Sequence, residues 1–228
     1  MNRAGDVLRA SVLGKPVEKD AHDAARRTLL AFRAAHQYPL LKATMGLRST
    51  VETERCEVEV SQRLKRVPTI LDKLAREPRM ELARMQDIGG CRAVLNDIAE
   101  VRRVERRIHR NNMSRTGKSP RSADYISCPR ASGYRGIHVI VEYDGRAIEV
   151  QLRTQVMHQW AIAVEQLSGR VQADLKSGTG PPEVLVWLEA VSEAMAIEEE
   201  GGVVDQERLT RLDELRTRAV RCLGGGRP

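Results

Sequence analysis

Alternating apolar and polar positions mark the stretch from Gly136 to Thr154 more clearly than any other local pattern. Two apolar runs flank Asp144-Gly145, a dipeptide typical of two-residue β-hairpin turns. Because successive strand side chains point to opposite faces, the hairpin is expected to have one apolar and one polar face. The polar face gathers His138, Glu149, Gln151 and Arg153. This polar row is either the solvated side of a sheet or a reactive surface, and the hairpin alone does not separate the two.

Apolar residues at helical spacing predict most of the other elements. The predicted helices are 18–37, 97–111, 155–170, 183–199 and 205–222, with a further short helix between Pro68 and Pro78. A buried strand is expected from Cys91 to Leu95, while residues 50–66 fit a strand or a helix. The expected irregular parts are a loose basic arm (1–17), a mobile basic loop (111–124), a linker (176–182) and a flexible GGGRP tail.

Strands that alternate with helices between about residues 50 and 175 predict an α/β core with helical extensions at both ends. We therefore divide the chain into an N-terminal arm and helix (1–48), a core domain (49–175) and a C-terminal helical extension with its tail (176–228).

The composition favours an anionic partner. The formal net charge is +7 over 228 residues, which suits nucleotides or nucleic acid. The four cysteines show neither close pairing nor a histidine at metal-ligand spacing, so thiols in a reducing cytosol are expected. No stretch approaches the length of about 18 apolar residues that a membrane helix needs. We therefore expect a cytoplasmic chain without a membrane partner.

Two further patterns add candidate chemistry to the polar row. Tyr134 is flanked by glycines and arginines, so an exposed ring there could stack on a purine base; alternatively it only covers a sheet edge. Asp87 precedes Ile88-Gly89-Gly90 and a buried strand, a place from which a carboxylate can reach Mg²⁺. Asp87 and Glu149 form the best candidate metal pair. The basic cluster Arg63, Lys65, Arg66 and Lys73 has the chemistry of a polyphosphate clamp.

Four segments in order, RLKRVPTILDKL, MQDIGGCRAV, DYISCPRASGYRGIH and IEVQLRTQVMHQWAIAVE, resemble the synthetase domain of the RelA/SpoT family of alarmone synthetases. The resemblance covers about residues 60 to 170. The chain resembles the small, single-domain members of the family. The resemblance implies a mixed β-sheet surrounded by helices, related to nucleotidyltransferases. It also implies an enzyme that transfers the β,γ-pyrophosphate of ATP to the ribose 3′-hydroxyl of GDP or GTP and so makes (p)ppGpp.

The resemblance assigns roles by position. Asp87 and Glu149 are expected to hold Mg²⁺, and Glu149 also to take the proton from the 3′-hydroxyl. Tyr134 is expected to stack on the acceptor base and Arg63 to lie against the adenine of ATP. The remaining expected substrate contacts are Lys65, Lys73, Arg130 and Arg153 at phosphates, with His138 and Gln151 lining the acceptor site.

The chain departs from the family pattern P-K-x-N-G-Y-R-S-L-H within residues 124–138, which we call the acceptor segment. Arg130 replaces lysine, Ser132 replaces asparagine, and Gly136-Ile137 replace serine and leucine. These changes leave acceptor identity open, and one alternative is a toxic-type relative that modifies adenosine nucleotides or the 3′ end of tRNA. Another is a catalytically silent module that binds nucleotide or RNA. Helices 183–222 are expected either to mediate self-association or only to cover the sheet.

Overall fold

A computed structural model gives the fold of residues 1–224. The helices in this range are α1 (Asn2–Val12), α2 (Lys19–Ala34), α3 (Gln37–Thr53), α4 (Val67–Arg76), α5 (Ile98–Thr116), α6 (Gln155–Val171), α7 (Pro182–Glu199) and α8 (Gln206–Gly224). The strands are β1 (Val60–Leu64), β2 (Gly89–Leu95), β3 (Arg121–Asp124), β4 (Ile137–Tyr143) and β5 (Arg146–Thr154). Short 3₁₀ helices occupy Leu82–Arg84 and Leu175–Ser177. The predicted tail falls largely on residues 225–228, which lie outside this range.

The strands form a five-stranded sheet in the order β1-β2-β5-β4-β3. Strand β1 runs antiparallel to β2, with Ser61 opposite Arg92 and Arg63 opposite Gly90. The mixed sheet with surrounding helices confirms the predicted fold class. No helix of residues 1–224 is both long and apolar enough to cross a membrane.

The predicted hairpin is confirmed. Strand β4 ends at Tyr143 and β5 begins at Arg146, which leaves a two-residue loop. Asp144 and Gly145 have φ angles of 50° and 69°, and positive φ at both positions is what a type I′ turn requires. Burial alternates along both strands, so the apolar and polar faces are the predicted ones up to Leu152.

Two predictions about local structure were wrong, and one helix was not predicted. The N-terminal segment is helix α1, because Leu8 packs in a core cluster with residues such as Leu29 and Leu82. Helix α3, buried through Leu40 and Leu47, was missed. The loop predicted at 111–124 is mostly ordered: α5 continues to Thr116 and β3 occupies the end of the range.

The chain divides into two compact units. The first comprises residues 1–93, 106–122 and 139–151; its core cluster combines α1, α2 and α4 around Leu8, Leu29 and Ile70. The second comprises residues 94–105, 123–138 and, within the described range, 152–224; its core cluster combines α6 and α7 around Trp160 and Leu188. The division at residues 48 and 175 stays a prediction.

Packing of α1 leads to a stability prediction. Leu8 is 2% exposed and Leu13, one residue past the end of the same helix, is 52% exposed. Leu8→Ala should lower the free energy of unfolding by about 2–4 kcal/mol, measured by urea denaturation, and Leu13→Ala should change it by less than about 0.5 kcal/mol. Equal small effects of both substitutions would contradict a packed N-terminal helix.

Candidate active site

Asp87 lies in the first unit, directly before β2, and two lysines hold one of its oxygens. Lys65 Nζ is 2.7 Å and Lys73 Nζ is 3.0 Å from Asp87 Oδ2. Burial raises the pKa of the Asp87 carboxyl, but the charges of Lys65 and then Lys73 outweigh burial, so the pKa lies below its ordinary value. Asp87 is therefore an ionised carboxylate in a partly buried position.

Local structure fixes this arrangement. Lys65 follows β1, and its backbone N–H donates to the carbonyl of Ile88 at 2.8 Å, which places Lys65 beside the residue after Asp87. Lys73 lies on α4. Pro68 in the first turn of this helix has a fixed φ angle that favours the helical backbone. Two consecutive elements thus aim ammonium groups at one carboxylate.

Glu149 and Gln151 lie two residues apart on β5, both half-buried. Gln151 Nε2 donates to Glu149 Oε2 at 2.6 Å, so the amide orients the carboxylate. Strand β2 is the neighbour of β5, and a Cβ added at Gly90 would lie 3.5 Å from the Glu149 carbonyl oxygen. Gly90 is three residues beyond Asp87, so Glu149 lies on the strand next to the one that Asp87 precedes.

The Asp87 carboxylate fits one ligand of a magnesium ion. Within residues 1–224 no cluster of three or more His, Cys, Asp or Glu side chains could hold a metal. Asp87 Oδ1 is buried without a hydrogen-bond partner there, and a buried carboxylate oxygen without a donor suits a hard cation. Mg²⁺ is commonly bound by one or two carboxylates together with substrate phosphates.

Arg92 is a candidate site residue that the sequence reasoning missed. In the β1–β2 register Ser61 faces Arg92 and Arg63 faces Gly90, and side chains two residues apart share a face. Arg63 and Arg92 are therefore diagonal neighbours on the same face, about 7–8 Å apart by sheet geometry. That spacing lets two guanidinium groups lie on either side of a flat ring. The alternation of β2 could have revealed Arg92 as a charge on its non-core face.

An open cavity of about 1130 Å³ lies in the first unit, and its lining includes sequence neighbours of the two carboxylate residues. Gln86, which precedes Asp87, and Ala147, which shares strand parity with Glu149, both line it. Its basic lining residues include Arg79, Arg84, Lys118 and Arg121. Glu77, Glu81 and Glu142 also line it, so its charge is mixed, and its volume is large enough for a nucleotide.

The acceptor segment, residues 124–138, lies in the second unit and folds back on itself. The backbone N–H of Tyr125 donates to the Gly136 carbonyl at 2.9 Å, and that of Arg130 to the Tyr134 carbonyl at 3.2 Å. The expectation of an exposed Tyr134 ring is wrong, because its exposure is 0%. The ring packs in the core cluster that contains Trp160 and Leu175.

The Tyr134 hydroxyl joins two of the predicted substrate contacts, His138 and Arg153. It lies 2.5 Å from His138 Nε2 and accepts from Arg153 Nε at 3.1 Å. The expectation that Arg153 lies on a half-solvated face is also wrong: its exposure is 2%, and its guanidinium carbon is 5.0 Å from the Tyr134 ring centroid. The ring supplies a partner that lets this cation be buried.

Two more cations cover the Tyr134 ring. The guanidinium carbon of Arg130 is 5.5 Å and Lys176 Nζ is 4.9 Å from its centroid. Arg130 also lies 4.4 Å from the ring centroid of half-buried Tyr125 and donates to its hydroxyl at 2.8 Å. Lys176 belongs to the predicted linker and was not a candidate in the sequence. The aromatic pair is thus surrounded by positive charge.

Comparisons with known proteins place this geometry in a family. The model for the region found in RelA and SpoT proteins matches residues 62–167. GTP pyrophosphokinase YjbM of Bacillus subtilis is 30% identical over 182 residues, which are 74% of this chain and 82% of that protein.

Solved structures agree with the sequence match. Small alarmone synthetase 1 of Bacillus subtilis, bound to its product pppGpp, is 26% identical, with a TM-score of 0.59 over 84% of this chain and 99% of that one. A GTP pyrophosphokinase family protein of Streptococcus pneumoniae, 24% identical with a TM-score of 0.60 over 87% and 97%, shares the fold. The chain belongs to the RelA/SpoT family.

The start of the acceptor segment leads to a pH prediction. Arg102 Nη1 lies 2.8 Å from Asp124 Oδ2, and Ile126 N–H and Ser127 N–H donate to Oδ1 at 3.0 and 3.1 Å. Burial raises the pKa of Asp124, but the Arg102 hydrogen bond and then the Ser127 bonds lower it to about 2. Because the unfolded pKa is about 3.9, the stabilisation is present above about pH 4 and is lost as pH falls towards about 2.

Asp124→Asn should therefore lower the melting temperature by about 2–4 °C at pH 7, and the difference from the wild type should shrink below about pH 4. Asp72→Asn, exposed on α4, is the control and should have little effect. Thermal denaturation between pH 2 and pH 7 checks this. A difference that stays constant across that range would contradict the role of the Asp124 charge.

Proposed function

We propose that this chain is a small alarmone synthetase, which transfers the β,γ-pyrophosphate of ATP to the ribose 3′-hydroxyl of GDP or GTP. Membership of the RelA/SpoT family supports the reaction class. The observation that carries the proposal is Asp87, held by Lys65 and Lys73 through one oxygen and left with the other oxygen unpaired. Such a centre is suited to a magnesium–polyphosphate complex.

The first unit supplies the donor side of the proposed reaction. Arg63 and Arg92, diagonal neighbours on one sheet face, would enclose the adenine of ATP. Asp87 and Glu149 would hold Mg²⁺, which when bound neutralises phosphate charge. Lys65 and Lys73 already lie at Asp87 and would meet the phosphates beside it.

Glu149 is the proposed general base. It would take the proton of the 3′-hydroxyl as that oxygen attacks the β-phosphorus of ATP; the bond from this phosphorus to the α,β-bridging oxygen breaks, and AMP leaves. The hydrogen bond from Gln151 Nε2 would fix the orientation of the carboxylate. Positioning and charge stabilisation supply most of the catalysis in reactions of this type.

The acceptor side of the proposed reaction is built around Tyr134. His138 and Arg153 are tied to the Tyr134 hydroxyl, so the three side chains would act as one group. Stacking of an acceptor base on Tyr134 would require Arg130 and Lys176, which now lie over the ring, to move aside. Their charges would then meet acceptor phosphates.

Replacement of the proposed base tests the chemistry. Glu149→Gln keeps the shape and removes the charge, so transfer from ATP to GDP or GTP should fall by about 10²–10⁴-fold while the melting temperature changes little. Glu52→Gln, exposed on helix α3, is the control and should keep the activity. Wild-type rates in Glu149→Gln would contradict the role of Glu149 as the general base.

The donor-side arginines give a separate prediction. Arg92→Ala should raise the KM for ATP about tenfold, since loss of a cation stacked on a ring costs about 1–2 kcal/mol, and the KM for the acceptor should stay unchanged. Arg48→Ala, exposed on α3, serves as the control. Steady-state kinetics with each substrate varied in turn decide; a rise confined to the acceptor KM would contradict the donor-side placement.

A further inference from the structure

Helix α7 packs directly on the acceptor segment at Gly133. This glycine has a φ of 82°, and a Cβ added to it would lie 2.9 Å from Glu189 Cα and from Ser192 Cβ, and 3.0 Å from the Leu188 carbonyl oxygen. Distances this short leave no room for a side chain. A glycine is therefore required both by the backbone conformation and by the close approach of α7.

Ser192 bonds the acceptor segment on both sides of Tyr134. Its hydroxyl donates to the Gly133 carbonyl at 2.5 Å and accepts from Arg135 Nε at 3.3 Å. Ser192 is 5% exposed, so these bonds are not exchanged with bulk water. Arg135 in turn donates through Nη1 to the Ile126 carbonyl at 3.2 Å, which links α7 to the other arm of the segment.

A second contact ties the same segment to the start of the C-terminal extension. The Ser132 hydroxyl donates to the Lys176 carbonyl at 2.8 Å, and Lys176 Nζ lies over the Tyr134 ring. Ser132 is a departure from the family pattern, and it is 1% exposed. The residue that replaces the family's asparagine is therefore engaged with this chain's own extension.

Indole packing fixes the position of α7 itself. Trp160 Nε1 on α6 donates to the Leu188 carbonyl at 3.2 Å, and Trp160 and Leu188 share the core cluster with Tyr134. The matched family region ends at residue 167, so Lys176 and Ser192 both lie beyond it.

We propose that Ser192 is a positioning residue for the acceptor substrate. By holding Gly133 and Arg135, it sets the place of Tyr134 and, through the Tyr134 hydroxyl, of His138 and Arg153. The inference rests on the proposed function and deepens it: acceptor affinity is determined in part by helix α7, outside the matched synthetase region.

Substitution of Ser192 by alanine removes both hydroxyl bonds and leaves the Gly133 carbonyl unpaired. We expect Ser192→Ala to raise the KM for GDP or GTP about tenfold, with the KM for ATP and kcat changed by less than about twofold, since the donor-side residues are untouched. Glu193→Ala, the exposed neighbour on α7, is the matched control and should behave as wild type.

A second variant and a second readout separate positioning from general destabilisation. Gly133→Ala keeps the Ser192 hydroxyl but places a methyl group against α7, which displaces the segment, and it should give the same selective rise in acceptor KM. Amide hydrogen exchange at residues 133–136 should be faster in Ser192→Ala than in the wild type, while exchange in β5 stays unchanged.

The outcomes distinguish this inference from the proposed function. An unchanged or lowered acceptor KM in Ser192→Ala, or equal rises in both KM values, overturns the positioning role. If the wild-type chain transfers pyrophosphate to no guanosine nucleotide, the proposed function fails. The exchange experiment then decides alone: unchanged exchange at residues 133–136 overturns the role of Ser192, and faster exchange supports it as the residue that orders this segment.

Discussion

The ion pairs at Asp87 are the interaction on which the first unit's chemistry depends. A partly buried carboxylate is costly unless it is paired, and Lys65 and Lys73 provide that pairing through Oδ2 alone. The backbone hydrogen bond from Lys65 N–H to the Ile88 carbonyl joins the end of β1 to the start of β2. This backbone bond, beside the ion pair, helps to set the β1–β2 register. That register in turn brings Arg63 and Arg92 to one face.

The second unit contains a buried positive charge. Arg153 is almost fully buried, and the Tyr134 ring and hydroxyl are its partners there. Arg130 and Lys176 approach the same ring. The aromatic side chain that the family resemblance assigns to a substrate base is thus, in this structure, the organising centre of four polar residues. Its arrangement depends on α7 and on the 3₁₀ turn at Leu175–Ser177.

The features that local sequence determines were predictable. Asp144-Gly145 defines the hairpin without help from distant residues, and strand alternation placed Glu149 and Gln151 on the half-exposed face of β5. The burial of Tyr134 was not predictable, because it depends on Leu175 and Leu188, which are more than 40 residues away along the chain. Helix α1 was missed for a similar reason: packing of Leu8 against Leu82 stabilises it. The alternation of β2 could have predicted that Arg92 lies on the non-core face of the strand, but only Asp87 was selected from this segment.

The central claim is pyrophosphate transfer to a guanosine nucleotide at the Asp87 centre, and one labelling measurement tests it most directly. The purified chain is incubated with Mg²⁺ and γ-³²P-ATP, and GDP, GTP, AMP, ADP and bulk tRNA are offered in separate reactions. The account predicts label on GDP or GTP and none on the adenosine acceptors. Label on AMP, ADP or tRNA, or no labelled product at all, would contradict it.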